Sequence, residues 1–160
     1  MILSWLLRLA DRIMVERDPD FIVGGADTPY MLRWWVIPRN RLFNIYLHSF
    51  KRSDDDRALH DHPWFNLSII LRGRYIEHSI MAGGCHREIM RRAGTVKFRA
   101  PWHAHRVEIF YGEPCITLFI TGPVMRTWGF HCPHGWVSWQ QFVSGRDKGE
   151  VGQGCGGETA

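Results

Sequence analysis

Several familiar chemistries leave no trace in this chain. It has no phosphate-cradling glycine loop, no Rossmann glycine turn between a strand and a helix and no Gly-x-Ser-x-Gly elbow, which argues against nucleotide hydrolysis, dinucleotide chemistry and common serine hydrolysis. Long apolar runs are missing too. The opening stretch MILSWLLRLADRIM is interrupted by Arg8, Asp11 and Arg12 and lacks a basic leader and a small-residue cleavage site. It is expected neither to act as a signal peptide nor to enter a membrane. Clustered positive charge is also scarce. The net charge is +4, carried almost wholly by arginine, and no basic run exceeds Arg91-Arg92. Nucleic-acid binding is therefore not indicated, while an arginine-bearing pocket for a small anion is compatible with the charge. Cys85, Cys115, Cys132 and Cys155 show no Cys-x-x-Cys spacing and are expected to be reduced thiols of a cytoplasmic protein. No repeat of fixed period is visible.

What is present suits one β-rich domain. The chain has 160 residues, enough to bury a core without staples, and 13% of it is aromatic, including eight Trp. Aromatics at that density favour strands and a lined interior. Glycine (16) and proline (8) recur at short intervals, as in short strands joined by turns. Residues 1–20 read as a helix and linker, 21–145 as the domain and 146–160 as a flexible tail. Leu3, Leu6, Leu7, Ala10, Ile13 and Met14 fall at helical spacing, so residues 2–15 are expected to form a short amphipathic helix covering the domain. The segment ERDPDFIVGGADTPY reads as a loop. From Tyr30 onward, strands are expected near 30–37, 42–50, 64–71, 74–81, 86–91, 95–98, 105–110, 115–121, 124–130 and 136–143. About ten short strands at that spacing describe an antiparallel sandwich or barrel.

The stretch RALHDHPWFNLSIILRGRY is the chemical centre of this pattern. On a strand His60 and His62 face the same way while Asp61 points away, and two converging imidazoles suggest a metal. In APWHAHRVEIF, His103 and His105 likewise share a face. Three of these histidines meet inside a barrel if the two strands are neighbours, which spacing by itself does not decide. Three neutral imidazoles would leave the ion its full charge and an open position.

These two segments resemble the paired motifs of the cupin superfamily, an all-β barrel or jelly roll holding one metal. His60, His62 and Gly73 fall in register with the first motif, Asn66 occupies its glutamate position and Asp54 stands at its leading glycine. The interval from Gly94 to His105 matches the second motif, with Pro101 one place late and Trp102 where an inner glycine is usual. PRNRLFNIYLHSFKRSDDDRALHDHPW and WGFHCPHGWVSW more loosely resemble uncharacterised bacterial and phage-associated cupins. The resemblance implies a single cupin domain with an N-terminal helix. It also implies one divalent metal on His60, His62 and His105, with Fe(II) favoured and Zn, Ni or Mn as alternatives. With Asn66 in place of glutamate, the ligand set is similar to that of thiol dioxygenases such as cysteine dioxygenase. A non-haem iron oxygenase acting on a small polar molecule is the implied enzyme. The alternatives are a non-catalytic metal- or ligand-binding module and a metal-dependent sugar isomerase or epimerase. A homodimer paired through strand edges is a further expectation from the resemblance.

Other candidates surround this set. Glu77 and Tyr75 share a strand face, and Glu77 is a candidate base or ligand, with an ordinary surface carboxylate as the commoner alternative. His103 is a candidate acid or base. Trp64 and Tyr75 are expected at the cavity wall, with Tyr75 also a catalytic candidate, Asn66 as a weak ligand or holder of a metal-bound water in contact with substrate, Trp102 at the mouth, and Arg99 near the rim as an anion contact. Arg106 is expected to face outward. In WGFHCPHGW, Cys132 and His134 have metal-like spacing without a second pair to complete a site, so an aromatic-packed turn is expected. Asp54-Asp55-Asp56 reads as a solvated loop.

Overall fold

The computed structural model describes residues 2–25, 27, 29–53, 58–110, 112–143 and 152–156. Asp54, Asp55, Asp56 and Arg57 lie outside them, as does most of the tail. Helix α1 (Ile2–Glu16) precedes β1 (Phe21–Val23), β2 (Met31–Trp35), β3 (Asn44–Phe50), β4 (Leu59–His60), β5 (Asn66–Arg72) and β6 (Arg74–Ile80). After a short 3-10 turn come β7 (His86–Arg92), β8 (Val96–Arg99), β9 (His105–Ile109), β10 (Cys115–Thr121), β11 (Gly129–Cys132), β12 (Gly135–Ser138) and α2 (Trp139–Phe142). The strands form two six-stranded sheets, ordered β1-β2-β3-β10-β5-β8 and β12-β11-β4-β9-β6-β7. Every pairing between them is antiparallel. No helix among the described residues is long and apolar enough to cross a membrane.

The first sheet is covered on both faces. Its inner face joins the second sheet in a core of Met31, Phe50, Ile70, Tyr75, Val107, Ile109 and Cys115. Its outer face takes α1, whose Leu3, Leu6, Leu7, Ala10, Ile13 and Met14 pack on Trp34, Leu47, Leu71 and Ile116. This is the apolar stripe legible at helical spacing. Asp11 adds an ion pair to Arg72 at 2.8 Å. The β5–β6 turn requires Gly73, whose φ is 79° and whose missing Cβ would sit 2.6 Å from the Pro114 carbonyl oxygen.

Several expectations are corrected. β1 forms inside the segment read as a loop. The expected strand 64–71 is displaced: β4 belongs to the second sheet, β5 to the first, and residues 61–65 make the corner between them. Residues 124–128 are not strand, since Pro123 cannot donate to a ladder and the Met125 N–H bonds the Pro63 carbonyl at 2.8 Å. The run after Ser138 turns into α2 because Phe142 is drawn under the β11–β12 hairpin, stacking on Phe130 at 3.7 Å between centroids. Not all cysteines are free thiols: Cys132 and Cys155 form a disulfide that ties the tail to this hairpin. The Cys132–His134 pairing read as metal-like is therefore not available for a metal.

Candidate metal centre

The two histidine segments meet at one point in the ladder. His60 ends β4, His105 begins β9, and the two are register partners. His62 stands in the corner beyond β4, where its N–H donates to the Pro101 carbonyl at 3.0 Å. Corner geometry, not strand alternation, therefore aims His62. The ring centroids lie 5.1 Å (His60–His62), 5.0 Å (His60–His105) and 5.2 Å (His62–His105) apart, an almost equilateral triangle.

The donor atoms fit an ion. One ring nitrogen from each histidine lies within 4.8 Å of the others. The Nε2 atoms of His62 and His105 are 2.9 Å apart. Ligand bonds of about 2.1 Å at right angles put neighbouring donors about 3 Å apart, so this spacing suits two ligands of one metal. Burial first, and then neighbouring cationic groups, hold the His62 and His105 imidazoles well below their ordinary 6.5. At neutral pH both rings are neutral and have a lone pair to give.

Behind His105 sits a closed ionic cluster. Glu77 is only 2% exposed, which corrects its reading as a surface carboxylate. Its Oε1 accepts from Arg99 Nε at 2.7 Å and its Oε2 from Arg91 Nε at 2.9 Å. Oε1 also lies 3.5 Å from Nδ1 of His105, a buried nitrogen with no hydrogen-bond partner. Burial alone would raise the Glu77 carboxyl, but the two guanidiniums outweigh it and hold it below its ordinary value. Glu77 is thus kept ionised behind His105, engaged by two guanidiniums rather than free to take protons. Arg99 is spoken for by Glu77 and by the Tyr75 hydroxyl, to which its Nη2 donates at 3.3 Å.

The histidines open on a cavity of about 110 Å³ whose wall includes Trp64, Ser68, Tyr75, Arg99, Thr117 and Phe119. Trp64 and Tyr75 thus stand at the wall, whereas Arg99, expected near the rim as an anion contact, is buried at 2% against Glu77. Asn66 is not on the wall and not at the histidines: it is buried at 1%, in register with Arg99 and Thr121, and its side-chain amide has no partner. Trp102 is 68% exposed and packs edge-on against Phe65 outside the cavity, so it does not gate the mouth. His103 lies in the turn before β9, half-buried, with its ring 6.3 Å from that of His105. Burial, opposed by Glu77, lowers its imidazole. Arg106 faces outward, toward His78 and Glu108.

Two wall residues were missed by sequence reasoning. Arg33 of β2 and His48 of β3 are register partners, and Arg33 Nε donates to His48 Nε2 at 2.9 Å. The guanidinium also lies 5.0 Å from the Tyr46 ring centroid. No carboxylate among the described residues pairs with it. Burial, partly opposed by Tyr46, lowers Arg33 to about 10, so it remains a cation at neutral pH. Alternation was the available signal: Leu32 and Trp34 pack toward α1, which turns Arg33 inward.

No protein-family model matches the chain, and no curated protein matches its sequence. Solved structures match it in fold. A double-stranded β-helix protein from Klebsiella pneumoniae is 15% identical, with a TM-score of 0.51 over 68% of this chain and 90% of that one. HppE with Fe(II) and substrate is 11% identical, with a TM-score of 0.53 over 66% of this chain and 57% of that one. Oxalate decarboxylase from Bacillus subtilis, a protein with Mn(II) centres, is 19% identical, with a TM-score of 0.51 over 72% of this chain and 30% of that one. The chain therefore spans little more than half of HppE and under a third of oxalate decarboxylase. Two antiparallel sheets closing on an inner cavity, together with these matches, give the chain a double-stranded β-helix fold.

Proposed function

We propose that the protein holds one divalent metal on His60, His62 and His105 and acts as a non-haem iron oxygenase on a small anionic molecule. The convergence of the three imidazoles on one cavity carries this reading. Fe(II) in HppE and Mn(II) in oxalate decarboxylase support a divalent, redox-active ion in this fold. Bound there, iron would supply open coordination positions and one-electron chemistry.

The chain's own residues supply the rest. Arg33, a cation on the cavity wall with no carboxylate partner among the described residues, attracts an anionic group, refining the expected small polar substrate. The cavity of about 110 Å³ suits a molecule of few heavy atoms. Phe119 and Trp64 line it with apolar surface that displaces bulk water. Glu77, being paired to two arginines, is not the free base that a sugar isomerase would need.

The test is metal analysis followed by oxygen uptake. Protein purified from iron-supplied cells should contain stoichiometric iron that His60→Ala and His105→Ala remove, and should consume oxygen with small thiol or hydroxy carboxylates. Metal content untouched by both substitutions would overturn the site. Stoichiometric metal without oxygen uptake, using a carboxylate shown to occupy the cavity, would make the protein a binding module instead.

A further inference from the structure

The outer face of the second sheet carries another convergence of metal-binding side chains, which the proposed chemistry leaves unused. His78 of β6 faces Glu88 of β7 in register, and His86 lies two residues before Glu88 on the same strand face. Nδ1 of His78 is 3.1 Å from Nε2 of His86 and 3.6 Å from Oε1 of Glu88. One donor atom from each of the three lies within 4.8 Å of the others. The two imidazoles stack with centroids 5.2 Å apart.

His78 is more than a surface histidine. It is only 3% exposed, and its Nε2 lies 2.9 Å from Oε2 of Glu108 on β9. A carboxylate there places the ring proton on Nε2 and leaves the Nδ1 lone pair aimed at His86 and Glu88. Arg106 is the cation that competes for this lone pair, but its Nη2 stands off at 3.4 Å from Nδ1. It also reaches Glu108 Oε2 at 3.4 Å, where it can remain when Nδ1 is taken.

We propose that His78, His86 and Glu88 form a second divalent-metal site, separate from the cavity, for an ion of the zinc class. Two imidazoles and one carboxylate are a donor set for zinc and its neighbours; calcium and magnesium select oxygen. Glu108 is a positioning residue that fixes the His78 ring. Since β7 is the sheet edge and, among the described residues, pairs only with β6, an ion bridging His78 to His86 and Glu88 would staple that edge.

Zinc content and melting temperature of the full-length protein test this. His86→Ala/Glu88→Gln alters exposed side chains and should hold one zinc fewer per chain than wild type. In a His60→Ala/His105→Ala background zinc should remain bound and raise the melting temperature, and adding His86→Ala/Glu88→Gln should abolish both effects. Glu108→Gln should weaken zinc binding by about tenfold or more without removing the site. Equal zinc in wild type and His86→Ala/Glu88→Gln, a comparison that needs no cavity variant, overturns the proposal. A failure of the cavity site reads differently: wild type and His60→Ala/His105→Ala would then hold the same zinc, still dependent on His86 and Glu88.

Discussion

The Asp61 carboxylate accepts a hydrogen bond from the Trp136 indole N–H at 3.1 Å, reaching from between the two cavity histidines to the tip of the β11–β12 hairpin. The same buried carboxylate accepts from Arg126 Nη1 and from the Gly129 N–H, each at 2.9 Å, and lies 3.3 Å from His131 Nε2. Gly129 permits this approach, because a Cβ there would overlap the Val137 carbonyl and the Trp136 ring. The aromatic hairpin is therefore a brace for the corner that holds His60 and His62. Asp61→Ala strands the Gly129 and Trp136 N–H donors and takes the counter-charge from Arg126, which keeps the Pro101 carbonyl at 3.3 Å, so a loss of about 2–3 kcal/mol is expected in urea unfolding. Metal affinity should fall by roughly 10- to 100-fold as the corner loosens. Trp136→Phe removes one donor and should cost only about 1 kcal/mol.

Glu77 gives the second prediction. Glu77→Gln leaves Arg99, which is 2% exposed, without its counter-charge, so a destabilisation of about 3 kcal/mol is expected. Replacing both partners, Glu77→Met with Arg99→Met, should recover most of it, because the pair's value lies largely in mutual neutralisation. The sign with pH follows from the lowered carboxyl of Glu77. Its stabilisation is complete above the ordinary glutamate range and is lost as pH falls through the lower folded value, so wild type and Glu77→Gln should converge in acid.

His60, His62 and His105 were legible because their spacing follows a known pair of motifs, yet strand alternation, the reason first available, places only His60 and His105. Which strand turns a corner depends on the packing of two sheets, and nothing local in HDHPW states it. The helix was legible because its stripe is contiguous in sequence. Asn66 stood at a ligand position, but the corner at residues 61–65 puts it on a different sheet from His60, in register with Thr121 and Arg99. Arg33 and His48 belong to no motif, and their role emerges only when α1 covers the other face of β2.

The cysteines should titrate in three steps, read with a thiol reagent. Native protein should expose Cys85 alone, since Cys115 is fully buried and burial pushes its thiol up to about 12. Denaturation without reductant should add Cys115. Reduction should then release Cys132 and Cys155. Full reactivity before reduction would restore the reduced-thiol reading and free the tail from the hairpin.

Arg33 separates stability from binding. Its guanidinium is held on the cavity wall with a histidine acceptor and a tyrosine ring but no counter-charge among the described residues, and burial lowers it to about 10. Arg33→Met removes that buried cation at similar volume, so the apo protein should be as stable as wild type or more so by about 1–2 kcal/mol. The same change deletes the cavity's unpaired anion partner. Affinity for a small carboxylate, measured by calorimetry on metal-loaded protein, should fall by about 100-fold, the equivalent of roughly 2.8 kcal/mol. A metal-linked contact alone would predict the opposite pattern, with Arg33→Met leaving carboxylate affinity unchanged.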